Sequence, residues 1–263
     1  MTPVEVHQGD SPLVLGLPHT GTHVPENIAA KLNKIGRALA DTDWHIHRLY
    51  DGLLPGATSV RAIFHRYVID ANRDPGGESL YPGQNTTGLV PLTDFDGEPI
   101  WEDPPTKGEV AARLGAFHGE YHVALQAELA RVKDLHGFVV LYDCHSIRSR
   151  IPFLFDGELP VFNLGTNDGQ ACAPDLEAVA WEFAASSPYP TVLNGRFKGG
   201  WTTRHYGRPD DGIHAIQMEV AQRAYLAEER APWDYDPARA HRLRSWLKDI
   251  LDVLVETATE HHA

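Results

Sequence analysis

Two short runs, PLVLGL at 12–17 and FVVLY at 138–142, are apolar without alternation. A strand that is apolar on both faces has to lie inside a sheet covered on both sides, and helices are the usual cover. The segment 108–136 sets Val110, Leu114, Phe117, Tyr121, Leu125, Leu129, Val132 and Leu135 on one helical stripe, and Gly137 ends it. Buried strands alternating with helices predict α/β layers around a largely parallel sheet. The 263 residues carry no repeat and no low-complexity tract, so one domain over 1–263 is the simplest organisation.

The remaining elements follow from weaker signals. A helical stretch is expected from 25 to about 39, and Asp41-Thr42-Asp43 reads as the N-cap of a second helix. Residues 59–64 and 66–70 resemble paired strands. Further strands are expected near 161–164, at Val192-Leu193 and at 213–220, with helices at 174–185 and from 237 to about 257. Residues 71–107 hold six prolines and five glycines and show neither period. A loop this long in a compact domain is usually functional or disordered, and Tyr81, Phe95 and Trp101 favour an ordered lid.

Composition removes several classes of function. With 23 basic against 36 acidic side chains, the net charge of −13 argues against a nucleic-acid partner. Two cysteines, Cys144 and Cys172, form no disulfide framework and suit a reducing cytosol. The longest apolar run near the N-terminus is 13–17, too short for a secretion signal, and no run reaches the roughly 18 residues of a membrane span. A cytoplasmic protein without a membrane partner is expected; the oligomeric state is left open.

Histidine is abundant, with 15 residues. In open α/β sheets, ligands collect beyond the carboxyl ends of the strands. His19 follows the first buried run, His145 follows FVVLY, and Glu219 closes IHAIQMEV, while Asp43 opens a helix. Two imidazoles and a carboxylate with one open position suit zinc and a catalytic water. Each residue also has an ordinary reading: Asp43 as a helix cap, His19 as a hydrogen-bonded loop residue, Glu219 as the partner of an arginine. His118-Gly-Glu120-Tyr-His122 is not a zinc-protease helix, because its Glu sits one position too late, about 100° round the helix. Packing or substrate contact suits that pair better. Basic residues gather in 196–208, with Arg196 and Arg204, and also at Arg73 and Arg148. Guanidinium groups at strand ends point to a small anionic ligand.

Longer blocks carry a resemblance. PHTGTHVP at 18–25, DTDWHIHRLYD at 41–51, YVIDANRD at 67–74, LYPGQNTTGLVP at 80–91, YDCHSIRS at 142–149, LPVFNLGT at 159–166, VLNGRFKGGWTTRHYG at 192–207 and IQMEVAQ at 216–222 resemble the N-formylglutamate amidohydrolase family. The resemblance implies a three-layer αβα sandwich around a mixed, mostly parallel sheet, similar to zinc carboxypeptidases and cell-wall amidases. It also implies hydrolysis of N-formyl-L-glutamate to formate and glutamate, the end of one route of histidine degradation, with one divalent ion, zinc, as cofactor.

By the same resemblance His19, Asp43 and His145 are the metal ligands and Glu219 is the general base. Asn72-Arg73 is similar to a pair that holds a substrate carboxylate, and Arg148, Arg196 or Arg204 is expected to meet the second carboxylate. The chain departs from the carboxypeptidase His-x-x-Glu ligand pair, with Thr22 three residues after His19, so the carboxylate ligand comes from elsewhere. Trp201 and His47 stand where the family pattern leads one to expect Tyr and an acid. The alternatives are another metal-dependent acylamino-acid amidase or carboxypeptidase and, in a different class, a dicarboxylate-binding protein without turnover.

Overall fold

The structure is a computed structural model that describes residues 2–79 and 83–263. Tyr81, and with it part of the 80–91 block, lies outside the described residues. Strands β1 (Val4–His7), β2 (Leu13–Leu17), β3 (Thr58–Ala62), β4 (Val139–Ile147), β5 (Phe162–Gly165), β6 (Thr191–Leu193) and β7 (Ile213–Ala221) build a sheet in the order β1-β3-β2-β4-β7-β5-β6. β3, β2, β4 and β7 run parallel, as do β5 and β6; β1 against β3 and β5 against β7 are antiparallel.

The helices are α1 (Glu26–Ala29), α2 (Lys34–Arg37), α3 (Ile46–Tyr50), α4 (Lys107–Arg113), α5 (Glu120–His136), α6 (Pro174–Ser186), α7 (Trp201–Tyr206) and α8 (Pro237–His261). On one face of the sheet, α3, α6 and α8 close over Leu15, Leu17, Tyr142, Cys144, Ile216 and Met218. On the other, α5 closes over Val14, Val60, Val139, Leu141 and Ala215. The result is the expected αβα sandwich with a mixed sheet.

Several elements differ from expectation. The stretch 25–39 is not one helix: Asn33 interrupts it by donating its backbone N–H to Ile100 O and accepting from Gly36 N at the start of α2. Residues 66–70 are not a strand. They turn, which brings Arg66 and Asp70 into contact one helical turn apart at 2.8 Å, and the apolar Tyr67, Val68 and Ile69 are buried by tertiary packing instead. The long helix is divided by a π turn at Leu114–Gly119. β1 was not expected; four residues at a sheet edge, with Glu5 and His7 turned to solvent, carry too little periodicity to read.

Candidate metal and substrate site

β4 and β7 lie side by side in parallel, with Asp143 opposite Gln217 and His145 opposite Glu219. Side chains alternate along a strand, so Val139, Leu141, Asp143 and His145 share one face, as do Ala215, Gln217 and Glu219 on the neighbouring strand. That face is apolar under α5 and becomes polar toward the C-terminal ends of both strands. His145 and Glu219 therefore stand within β4 and β7, not beyond them, because a polar side chain over a cavity leaves the backbone ladder intact.

His19 follows β2. Its Nε2 donates to Asp70 Oδ1 at 2.6 Å, which turns Nδ1 the other way. His145 Nε2 lies 3.2 Å from Asp143 Oδ1 and 3.0 Å from Asn72 Nδ2. Asn72 can only donate there, because Thr202 N–H holds its Oδ1, while Asp143 Oδ1 is buried, makes no hydrogen bond among the described residues and lies at ion-pair distance. Both imidazoles turn Nδ1 toward Asp43. The two Nδ1 atoms are 3.2 Å apart, and Asp43 Oδ2 is 3.2 Å from that of His145 and 3.9 Å from that of His19. Donors about 2.1 Å from a common tetrahedral centre are about 3.4 Å apart. Three potential ligand atoms at that spacing, each on a buried residue, fit a divalent ion. Asp43 does not cap a helix: His45 precedes α3 with φ 59, and the Asp43 carboxylate instead accepts Ser146 N–H at 3.0 Å.

Charge supports the same reading. Asp43, Asp70, Asp143 and Glu219 are buried around a single buried guanidinium, Arg66. Burial alone would raise Asp70, but Arg66 and His19 hold its carboxyl well below the usual range. Burial works against a charged His145, yet Asp143 and Asp43 push it well above the usual imidazole range. Glu219 is pushed up to about 8, chiefly by burial, and Gln217 Nε2 donates to its Oε2 at 3.3 Å. A carboxyl poised near neutrality suits proton transfer.

These groups open into a cavity of about 300 Å³, in the size range of ligand sites. Its wall includes His19, Asp43, His145, Glu219, Asn72, Arg73 and Arg196, and residues 85–89 of the long loop. Arg73 donates to Thr87 O at 2.9 Å, and Arg196 to Asn85 O at 3.2 Å, so both cations also hold that loop. Arg148 and Arg204 do not line the cavity; Arg148 pairs with Asp96 at 2.9 Å and Arg204 donates to Gly199 O at 2.9 Å.

Sequence reasoning missed Arg66 and Asp70, which the turn at 66–70 brings to the site; a buried acid two residues before Asn72 was the only signal. A second histidine group, His214 with His261 and His262, does not suit a cation. Ala173 N–H donates to His214 Nδ1 at 3.2 Å, so the His214 proton is on Nε2, 2.7 Å from His262 Nε2.

Fold and site together define the class: an αβα sandwich in which parallel strands bring a buried His-Asp-His group and a buried glutamate to one ligand-sized cavity. The chain belongs to the N-formylglutamate amidohydrolase family, whose model matches residues 11–226. It is 44% identical over 263 residues to the N-formylglutamate deformylase of Pseudomonas aeruginosa, covering 97% of each chain. It is also 44% identical over 260 residues, again 97% of each, to that of Pseudomonas putida. The crystal structure of N-formylglutamate amidohydrolase from Ralstonia eutropha JMP134 superposes with a TM-score of 0.82 at 25% identity, over 99% of this chain and 100% of that one.

Proposed function

We propose that this protein is a metal-dependent amidohydrolase that converts N-formyl-L-glutamate to formate and L-glutamate, the reaction ending one route of histidine degradation. The observation that carries the reading is the convergence of His19 Nδ1, His145 Nδ1 and Asp43 Oδ2 beside Glu219, on the strand next to His145. The names of the two Pseudomonas relatives support the substrate. Zinc suits two imidazoles and one carboxylate, and when bound it supplies Lewis acidity to the formyl oxygen and acidifies a water.

The chain's own residues do the rest. Glu219 takes a proton from the attacking water and returns it to the amide nitrogen as the C–N bond breaks, so the products are formate and a free amine. Asp70 fixes the ring orientation of His19, and Asn72, with Asp143 at ion-pair distance, that of His145. Arg73, beside Asn72, holds one substrate carboxylate, and Arg196 is the cavity-lining choice for the second. Residues 85–89 of the long loop, which line the cavity, act as part of a lid over the small anionic substrate. Among the described residues no helix is long and apolar enough to cross a membrane.

Formate release from N-formyl-L-glutamate by the purified protein tests the proposal. Turnover should disappear on chelation, return with zinc, and be far weaker on N-acetyl-L-glutamate. Zinc-loaded protein that releases no formate would refute it.

A further inference from the structure

The His118-Gly-Glu-Tyr-His122 motif takes no part in the proposed metal centre, yet both of its imidazoles are buried. His118 lies in the π turn and His122 is one turn later in α5. Their ring centroids are 4.4 Å apart, and Trp201 at the start of α7 packs on both, at 5.7 and 4.7 Å. His118 Nε2 donates to Arg73 O at 3.0 Å, and His122 Nε2 donates to Ala71 O at 2.8 Å. Both carbonyls can only accept, so both imidazoles carry the proton on Nε2; His122 Nδ1 accepts from Tyr206 Oη at 3.0 Å, which agrees. Burial holds both rings below the usual imidazole range, His122 at about 3.

What they hold is the segment with the proposed substrate-binding pair. Residues 71–73 lie in a turn outside any strand, so no sheet ladder fixes them. Asn72 N donates to Asp70 Oδ1, and Thr202 N donates to Asn72 Oδ1, both at 2.8 Å. The imidazoles secure the carbonyl on either side of Asn72.

We propose that His118 and His122 are positioning residues, a two-point clamp on Ala71 O and Arg73 O that sets where Asn72 and Arg73 meet the substrate carboxylate. The role rests on the reading of Arg73 as a carboxylate ligand. π turns often mark functional positions, and this one carries half of the clamp.

The test compares His118→Phe, which keeps the ring packing but has no donor, with His118→Gln, which keeps an N–H near the position of Nε2. Removing the His118 donor from Arg73 O should raise KM for N-formyl-L-glutamate about tenfold or more. Zinc content and kcat should stay within about twofold, and His118→Gln should recover most of the loss. Hydrogen exchange across residues 70–76 should quicken in His118→Phe and return toward normal in His118→Gln. If His118→Phe does not fold, His118→Leu replaces it. Unchanged KM and exchange, or a loss of zinc and kcat at constant KM, would overturn the clamp. If the unaltered protein releases no formate, the reading of function fails by itself, and the exchange comparison still decides whether the clamp exists.

Discussion

Replacing Glu219 by glutamine should lower turnover and raise stability together, a combination expected only where function is bought with buried charge. Glu219 has its carboxyl raised to about 8 from an ordinary 4.5, chiefly by burial. Between those two pH values the folded chain binds the proton and the unfolded chain does not, so stability falls as pH rises through that window. Each pH unit contributes about 1.4 kcal/mol, so the carboxyl costs the metal-free protein about 3 kcal/mol at pH 7. Glutamine keeps the shape and can still accept from Gln217 Nε2, but carries no charge. Chelator-treated Glu219→Gln should therefore melt about 6–12 °C above the unaltered protein at pH 7. The difference should shrink toward zero near pH 4.5, where both states hold the proton. Turnover of the zinc-loaded variant should fall by about 10² to 10⁴, the range for a positioned acid/base group. Calorimetry at pH 5, 6 and 7 and a formate assay read the two effects separately. A variant that melts lower at pH 7 and keeps most of its activity would show that Glu219 is a structural ion-pair partner, and the reasoning would fail.

Three further outcomes follow from particular contacts. Asp70→Asn removes the anion that orients His19 and should weaken zinc affinity about 10- to 100-fold in a chelator competition; unchanged affinity would mean that His19 is held by other means. In Gly200→Ala the new Cβ would lie 2.3 Å from Asn72 Nδ2, so Asn72 must shift; kcat/KM should drop about tenfold or more with an unchanged circular dichroism spectrum. Arg196→Lys should raise KM about 10- to 100-fold while Arg148→Ala changes it by less than about threefold, and equal effects would contradict the assignment of the second carboxylate to the cavity wall.

Much of the architecture is legible in the chain because strands buried on both faces announce themselves. PLVLGL and FVVLY became the interior strands β2 and β4, and the stripe from Val110 onward became α4 and α5, joined by the π turn, with α5 covering one face of the sheet and Leu135 left exposed. The alternation in IHAIQMEV put Ala215, Gln217 and Glu219 on one face as read, since the two-residue period of a strand is a local property. What failed was also local in cause. At 66–70 the apolar residues Tyr67, Val68 and Ile69 looked like a strand, but their burial comes from packing by distant segments. At 25–39 the helix breaks where Asn33 finds a partner in Ile100, a contact no window of sequence contains.

The candidate site divides along the same line. By itself the sequence marked His19, Asp43, His145 and Glu219 as candidates, each by an expected strand end or helix start, and marked the family by whole blocks of residues. Only the tertiary structure decided how they act together. Asp70 holds the His19 ring and Asn72 that of His145, Arg66 is the buried guanidinium among four carboxyls, Arg148 and Arg204 stand off the cavity, and His118 and His122 hold the backbone at Ala71 and Arg73. The physical reason is that hydrogen bonds and buried charges depend on distances of a few ångströms between residues that lie 126 or 130 positions apart in the chain. Periodicity and motif spacing report only on neighbours in the chain.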